Sequence, residues 1–219
     1  MRGPILRVYD NDGVLSDSLG PCHITTIKSH CHFRRIAPTL DEYRDADSSN
    51  GFRDKKLALG VPEDKLKAYD AYWWDTYCKL LREDTPQMVP GAREEIERLA
   101  ASGEYLAILT QAGEANVDVQ LGMAWVRSVF KDVMFVKDKA SALAEYRARM
   151  AGYDLIYFGD MLLDGVACLK AGVKFGAMVH RYSHSSERHL LDFVKAHPDM
   201  AVAVMSVSDF GRAAEEAFR

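Results

Sequence analysis

The chain contains 219 residues, of which 48% are hydrophobic and 27% charged, and its formal net charge is −4. This composition is typical of a folded globular protein and excludes an intrinsically disordered one, while the length suits one domain or a core with a smaller inserted domain. The acidic balance argues against a nucleic-acid partner, and the apolar runs are too short to cross a membrane. No leader-like segment opens the chain, so we expect a cytoplasmic protein. We further expect a monomer or homodimer that acts without nucleic acid or membrane.

Four cysteines are widely scattered and have no CxxC spacing, so neither a zinc ribbon nor a disulfide framework is predicted. One local group of cysteines and histidines comprises Cys22, His23, His30, Cys31 and His32. Adjacent positions on a helix point in different directions, and this spacing is not a standard zinc pattern. We therefore favour a helix with half-buried polar side chains over a soft-metal site.

An apolar run over residues 5 to 10 predicts the first strand, and it leads into two carboxylates, Asp10 and Asp12, and then Gly13. Residues i and i+2 of an extended chain point the same way, so the two carboxylates should face a common point. Like charges held together are usually offset by a bound cation or a shared proton. The alternative is an ordinary turn, because Asp, Asn and Gly are common turn residues. Asn11 should face away from both carboxylates, and we assign it no role.

The region from about residue 17 to 88 contains no alternating run and is predicted to be helical. Within it, apolar residues recur at a three-to-four spacing from Leu66 to Leu81, after a proline and acids that suit a first helical turn. The aromatic members of this series predict the core of a small helical unit, and the edge of that series could line a substrate pocket. They are Tyr69, Tyr72, Trp73 and Tyr77.

From residue 89 onward, helices alternate with apolar runs of strand length. Strands are predicted at residues 105–109, 133–136, 155–158 and 175–179, and helices at residues 92–101, 116–121, 140–150 and 165–171. This alternation predicts an α/β fold with a Rossmann-like, doubly wound and mostly parallel sheet that is covered by helices on both faces. In such sheets, ligands bind beyond the carboxyl ends of the strands.

Polar residues follow three of these later strands. Thr110 and Gln111 follow the second strand of the chain, Lys137 and Lys139 the third, and Asp160 and Asp164 the fourth. Each group alone is compatible with a helix cap, a solvated loop or a turn. Jointly with the first pair, they place carboxylates, a hydroxyl and a lysine at one rim of the sheet. That combination is what Mg²⁺ and a phosphoryl group require.

With these residues at its strand ends, the chain resembles the haloacid dehalogenase superfamily of phosphohydrolases. The resemblance depends on residues 10–15, on Thr110, on Lys139 and on residues 159–164, and residues 89–92 are similar to the linker of that family. It covers roughly residues 5 to 15 and 89 to 180. It implies a haloacid-dehalogenase-like core domain of residues 1–15 and 89–219 and an inserted helical cap domain of the C1 type over residues 16–88.

The resemblance also implies an activity, which is a Mg²⁺-dependent phosphatase acting on a small phosphorylated metabolite. Asp10 would be the nucleophile that forms an aspartyl-phosphate, which water then hydrolyses. Asp12 would protonate the leaving alkoxide and later deprotonate that water. An acid at this second position favours a phosphate ester over a halide as the leaving group.

The remaining roles follow from the same resemblance. Mg²⁺ would be held by a carboxylate oxygen of Asp10, the backbone carbonyl of Asp12, and Asp160, with Asp164 bracing the waters of the metal or the lysine. The phosphoryl group would be bound by Thr110, Gln111 and Lys139. Lys139 is preferred over Lys137 because it directly precedes the next helix, and Lys137 remains the alternative.

Other functions and contacts stay open at this stage. A phosphomutase, a haloacid dehalogenase and a catalytically silent binding protein are the alternatives on the same fold. Candidates for substrate contact in the cap are Ser16, Asp17, His23, Lys28, Arg53 and residues 72–74, although structural or solvated roles are favoured for each. A second polar cluster follows the last predicted strand; it could approach the rim of the active site, but we favour a solvated helix start. Its members are His180, Arg181, His184, Arg188 and His189.

Overall fold

A six-stranded, wholly parallel sheet forms the centre of the computed structural model, which describes residues 3–47 and 51–219. The strands are β1 (Ile5–Tyr9), β2 (Tyr105–Thr110), β3 (Asp132–Phe135), β4 (Asp154–Gly159), β5 (Lys174–Met178) and β6 (Ala201–Val204). The predicted α/β class with a Rossmann-like sheet is thus confirmed. Residues 1 and 2 of the predicted core and residues 48–50 of the predicted cap lie outside the described part of the chain.

Helices connect the strands and supply the predicted cap segment. Between β1 and β2 lie α1 (Leu19–His32), α2 (Leu40–Asp45), α3 (Phe52–Ala58), α4 (Leu66–Glu83) and α5 (Ala92–Ala101). The later helices are α6 (Glu114–Leu121), α7 (Met123–Val129), α8 (Lys139–Arg149), α9 (Leu162–Ala171), α10 (Glu187–Ala196) and α11 (Phe210–Ala217). None of the helices in the described ranges is long and apolar enough to span a membrane.

The sheet is buried on both faces, which explains why its strands are continuously apolar rather than alternating. In β1, Leu6 and Val8 pack into a core shared with α8, α9 and α10, whereas Tyr9 packs into the opposite core with α5, α6 and α11. All three side chains are fully buried. A sheet held from both sides in this way is a rigid platform for side chains at its rim.

Strand order places the predicted rim residues next to one another. The order across the sheet is β3-β2-β1-β4-β5-β6, so the chain builds outward from β1 on one side and then crosses to build outward on the other. Such a switch point leaves a crevice beyond the carboxyl ends of the strands beside β1. The loops after β1, β2 and β4 all open into this crevice.

The segment between β1 and α5 forms a small helical unit with its own apolar centre. Leu19 and Cys22 of α1 pack against Tyr43 of α2 and against Tyr77 and Leu81 of α4. Tyr69 is also buried, so the predicted aromatic series does contribute to packing within this unit. The division of the chain into a core and a cap remains a prediction.

The carboxyl-terminal part contains more structure than the sequence analysis predicted. No strand was predicted beyond residue 179, yet β6 pairs in parallel with β5 and carries α10 and α11 on either side of it in the chain. The signal is weak because β6 spans only Ala201–Val204, a length at which apolar periodicity carries little information. Likewise α7 was missed and the first strand ends at Tyr9, one residue earlier than predicted.

Candidate active site

Asp10 lies directly after β1 and is almost completely buried, with 5% of its surface exposed. Its Oδ2 accepts a hydrogen bond from Lys139 Nζ, and the same ammonium donates to Asp164 Oδ1 at 2.6 Å. Lys139 is the first residue of α8, where a cation is unfavourable against the helix dipole. Two carboxylates offset that cost, and they raise the pKa of Lys139 although burial disfavours its charge.

The two candidate lysines differ in position. Lys139 is buried against Asp10, whereas Lys137 is exposed at the edge of the same cavity. The backbone carbonyl of Lys137 accepts a hydrogen bond from Gln111 Nε2 at 2.7 Å. Thus Lys139 is the lysine that the fold brings to the carboxylates.

Asp164 shapes the loop that follows β4. Its Oδ2 accepts hydrogen bonds from the backbone N–H groups of Asp160 at 3.2 Å and Met161 at 3.1 Å, while its Oδ1 faces Lys139. A Cβ at Gly159 would overlap the Asp164 carboxylate, so this close approach requires a glycine. Asp164 therefore connects the loop of β4 to the lysine at the start of α8.

Three buried carboxylates form a cluster that suits a hard cation. Oxygen atoms of Asp10, Asp160 and Asp164 all lie within 4.8 Å of one another. Burial raises the pKa of Asp164 to about 7 and also raises the pKa of Asp10, in both cases against the opposing effect of Lys139. Mutual repulsion of the carboxylates raises these pKa values further. A divalent cation would offset the negative charge of the cluster, which Lys139 balances only in part.

Gly13 lies against the same cluster of carboxylates. Its φ is +69°, and a Cβ at this position would overlap the Asp160 carboxylate. The donor set of carboxylate oxygens and the absence of a side chain here fit a magnesium ion. Asp12 is not a member of the cluster, and the metal contact predicted for its backbone carbonyl stays a prediction.

His184 contacts the candidate site, which is the less favoured of the two alternatives for its cluster. It is buried, with 4% of its surface exposed, and both its backbone N–H and its Nδ1 bond Asp160 Oδ2, at 2.6 and 2.8 Å. Although burial disfavours both charges, the attraction between the two groups lowers the pKa of Asp160 and raises that of His184. The expectation of a solvated helix start at residues 180–189 is therefore wrong for His184. No local pattern could have shown it, because the two residues are 24 positions apart.

Asp12 is held by a hydrogen-bond network of its own. Its Oδ1 accepts from Gln120 Nε2 at 2.9 Å and, more weakly, from Tyr77 OH at 3.5 Å. Gln120 in turn accepts at Oε1 from Asn11 Nδ2. Asn11 is fully buried, and its side chain reaches Asp12 indirectly through Gln120. Asn11 was assigned no role from the sequence, where no local pattern indicates its contact with Gln120, 109 residues away.

Thr110 and Gln111 lie at the end of β2 and beside the same cavity. Thr110 is buried, and its Oγ1 accepts from the backbone N–H of Ala112 at 3.1 Å. The structure thus brings Asp10, Asp12, Thr110 and Lys139 to one cavity, together with Asp160. Asp164 is not among the residues that line this cavity, but its carboxylate contacts Lys139, which does line it.

The cavity has a volume of about 380 Å³ and extends from these rim residues into the helical unit. Of the cap residues proposed from the sequence, Trp73 and Trp74 line it, whereas His23 bonds the carbonyl of Pro38 through Nε2. Several other residues of the helical unit line the cavity without having been predicted to do so, and four of them lie on the short helices α2 and α3, where nothing in the local sequence marks the side that faces the core. These four are Tyr43, Phe52, Lys55 and Lys56.

The cysteine and histidine group of α1 has structural partners. His30 bonds the backbone carbonyls of Thr26 at 2.9 Å and Leu59 at 3.1 Å, and its ring nitrogen also meets Tyr69 OH. His32 stacks on Tyr72. These contacts agree with the preferred interpretation of half-buried polar side chains on a helix.

Comparisons with known proteins agree with this architecture. No family model matches the chain. Phosphoglycolate phosphatase 1 of Pseudomonas aeruginosa is 23% identical over 198 residues, which span 84% of this chain and 72% of that protein. A haloacid dehalogenase-like hydrolase from Streptococcus pneumoniae superposes with a TM-score of 0.75 at 16% identity, covering 95% of this chain and 97% of the other. A putative beta-phosphoglucomutase from Thermotoga maritima has a TM-score of 0.62 at 17% identity, covering 97% and 99%.

The chain therefore has the haloacid-dehalogenase-like fold, and Asp10, Asp12, Thr110, Lys139 and Asp160 lie at the carboxyl rim of its sheet. The resemblance to this superfamily that residues 10–15 and 159–164 indicate is confirmed.

Proposed function

We propose that this protein is a Mg²⁺-dependent phosphatase that hydrolyses a small phosphorylated metabolite through an aspartyl-phosphate intermediate. The observation that carries the proposal is the shared cavity of Asp10, Asp12, Thr110 and Lys139. The similarity to a phosphoglycolate phosphatase supports the class of phosphoric monoester hydrolases.

In the first half-reaction, an Asp10 carboxylate oxygen attacks phosphorus and the bond from phosphorus to the ester oxygen breaks. The proton that the leaving alkoxide needs comes from Asp12, which lies two residues further on and is oriented by Gln120. Burial of Asp10 strips water from the attacking oxygen, and the contact with Lys139 supports its ionised form.

In the second half-reaction, water attacks the phosphorus of the aspartyl-phosphate and transfers a proton to Asp12. Inorganic phosphate leaves and the Asp10 carboxylate is regenerated. Lys139 and Thr110 would bind the phosphoryl oxygens, on which negative charge is concentrated during both transfers. Aromatic side chains of the helical unit line the cavity and would limit the access of bulk water to the reacting groups.

A bound Mg²⁺ would supply charge neutralisation for the phosphoryl group. Asp10 and Asp160 would hold it. Asp164 would act from behind by fixing Lys139 and the backbone after β4. His184 would hold the Asp160 carboxylate in place through its hydrogen bond to Oδ2.

Hydrolysis of p-nitrophenyl phosphate tests the proposal. We expect activity with Mg²⁺, loss of activity with a chelator, and loss of at least about a thousandfold in the Asp10→Asn variant, since the nucleophile is removed. Equal inactivity of wild type and variant on a broad panel of phosphate esters would leave the silent binding protein as the answer. Transfer of the phosphoryl group to a second sugar hydroxyl would indicate a mutase, and halide release from haloacids would indicate a dehalogenase.

A further inference from the structure

Lys55 is a buried cation on the wall of the active-site cavity. It lies on α3, retains only 4% of its surface exposure, and lines the same cavity as Asp10 and Lys139. Its Nζ makes neither a hydrogen bond nor an ion pair within the described ranges. Its closest defined contact is the ring of Tyr43, whose centroid lies 3.8 Å from Nζ.

A buried ammonium without a carboxylate partner is costly, which distinguishes Lys55 from its neighbour. Lys56 also lines the cavity but forms an ion pair with Asp70. Burial lowers the pKa of Lys55, and the more distant carboxylates of Asp47 and Asp160 offset this only in part. Asp47 Oδ2 accepts from the backbone N–H of Leu162 and from Ser185, and its buried Oδ1 makes no hydrogen bond, neither to Lys55 nor to another group in the described ranges.

The rest of the cavity wall within the helical unit is mainly aromatic. Tyr43, Phe52, Tyr69, Trp73, Trp74 and Tyr77 all contribute to it. A volume of about 380 Å³ exceeds what a phosphoryl group alone would fill, so there is room for an apolar body attached to it. The cavity is therefore lined by carboxylates and Lys139 at the rim of the sheet, by aromatic side chains of the helical unit, and by one lysine of that unit whose ammonium forms no hydrogen bond or ion pair in the described ranges.

We propose that Lys55 binds a second anionic group on the organic part of the substrate. On this reading the substrate is a phosphate monoester whose leaving group combines a flat or apolar body with a carboxylate or a second phosphate. The inference rests on the proposed phosphatase function and narrows its substrate class. The bound anion would supply the counter-ion that Lys55 lacks, and the Tyr43 ring would hold the ammonium in place.

Matched aryl phosphates test the inference on the intact protein with Mg²⁺. The esters are 4-carboxyphenyl phosphate, its neutral near-isostere 4-carbamoylphenyl phosphate, and the bisphosphate of hydroquinone. We expect kcat/KM to be higher for the anionic esters than for the carbamoyl ester. Whichever of the carboxylate and the bisphosphate is preferred identifies the source of the second anion.

Variants of Lys55 separate charge recognition from packing. In Lys55→Met, the ratio of kcat/KM for the carboxylate ester over the carbamoyl ester should fall about 10- to 100-fold, the effect expected for a lost charge-assisted hydrogen bond. Lys55→Arg should retain most of the ratio. Lys67→Met is the matched control, because it removes a positive charge from an exposed position of the neighbouring α4 and should leave the ratio unchanged.

The outcomes distinguish this inference from the function on which it rests. An unchanged ratio of kcat/KM for the two esters in Lys55→Met would overturn the inference. If both kcat/KM values fell equally, Lys55 would be assigned to packing. If Lys55→Met fails to fold, a wild type that hydrolyses the carbamoyl ester as well as the anionic ones overturns it without any variant. Failure of every ester, with no effect of Asp10→Asn, would instead refute the phosphatase function.

Discussion

Gln120 Nε2 donates a hydrogen bond to Asp12 Oδ1 at 2.9 Å, and Asn11 Nδ2 donates to Gln120 Oε1. The second bond fixes which end of the Gln120 amide faces Asp12, because an accepting oxygen on one side leaves the donating nitrogen on the other. The residue beside the proposed nucleophile thus orients the proposed acid–base group through Gln120 of α6.

Loss of the Gln120 amide should affect substrates according to how much they need an acid. In Gln120→Leu we expect kcat/KM to fall about 10- to 100-fold for an alkyl phosphate, because the leaving alkoxide depends on a well-placed proton from Asp12. The fall should be smaller for p-nitrophenyl phosphate, whose leaving group needs little protonation. Steady-state kinetics on both substrates check this, and an equal fall would show that Gln120 does not act through Asp12.

Stability and activity should separate in the Asn11–Gln120 pair. Each single change to Leu leaves a buried polar partner unsatisfied and should lower the free energy of unfolding by about 1–3 kcal/mol. The double variant Asn11→Leu, Gln120→Leu should recover part of that loss, since two apolar groups replace two polar ones, but it should not recover activity on the alkyl ester. Additive losses in urea denaturation would contradict the pairing.

The His184–Asp160 contact should be measurable as a coupling energy. His184→Ala leaves a buried carboxylate without its cation and should lower the free energy of unfolding by about 3 kcal/mol. The double variant His184→Ala, Asp160→Asn should be less destabilised than the sum of the single ones. Because the pKa of Asp160 is lowered in the folded state, its contribution is present above the unfolded pKa and is lost as the pH falls. Exact additivity would show that the two groups act independently.

Binding of Mg²⁺ should release protons near neutral pH. The pKa of Asp164 is raised to about 7 by burial, and the pKa of Asp10 is raised as well, so protons compete with the cation below that pH. We expect the apparent Kd for Mg²⁺ to fall as the pH rises from 6 to 8. Calorimetry in buffers of different ionisation enthalpy should report the released protons. The Asp164→Asn variant is the control, because it removes the carboxyl group whose pKa is about 7 and should weaken the dependence of Kd on pH. A wild-type Kd that is constant from pH 6 to 8 would contradict the expectation.

The core of the fold was predictable because parallel strands buried on both faces are continuously apolar. Tyr105–Thr110 and Asp154–Gly159 illustrate this, and both emerge close to their predicted bounds. Two short elements, β6 with four residues and α7 with seven, were not predicted, and neither shows a distinct period. The strand β3 also has four residues but was predicted from its apolar run.

By itself, the sequence determined the polar residues at each strand end, since the rule that parallel strands present their carboxyl ends at one rim needs no coordinates. The tertiary structure decided which of them meet, and it decided for Lys139 over Lys137 by burying one ammonium against Asp10. It alone brought in His184, Gln120 and Lys55. Their contacts join residues far apart in the chain, and no local pattern encodes the distance between two such side chains once the chain has folded.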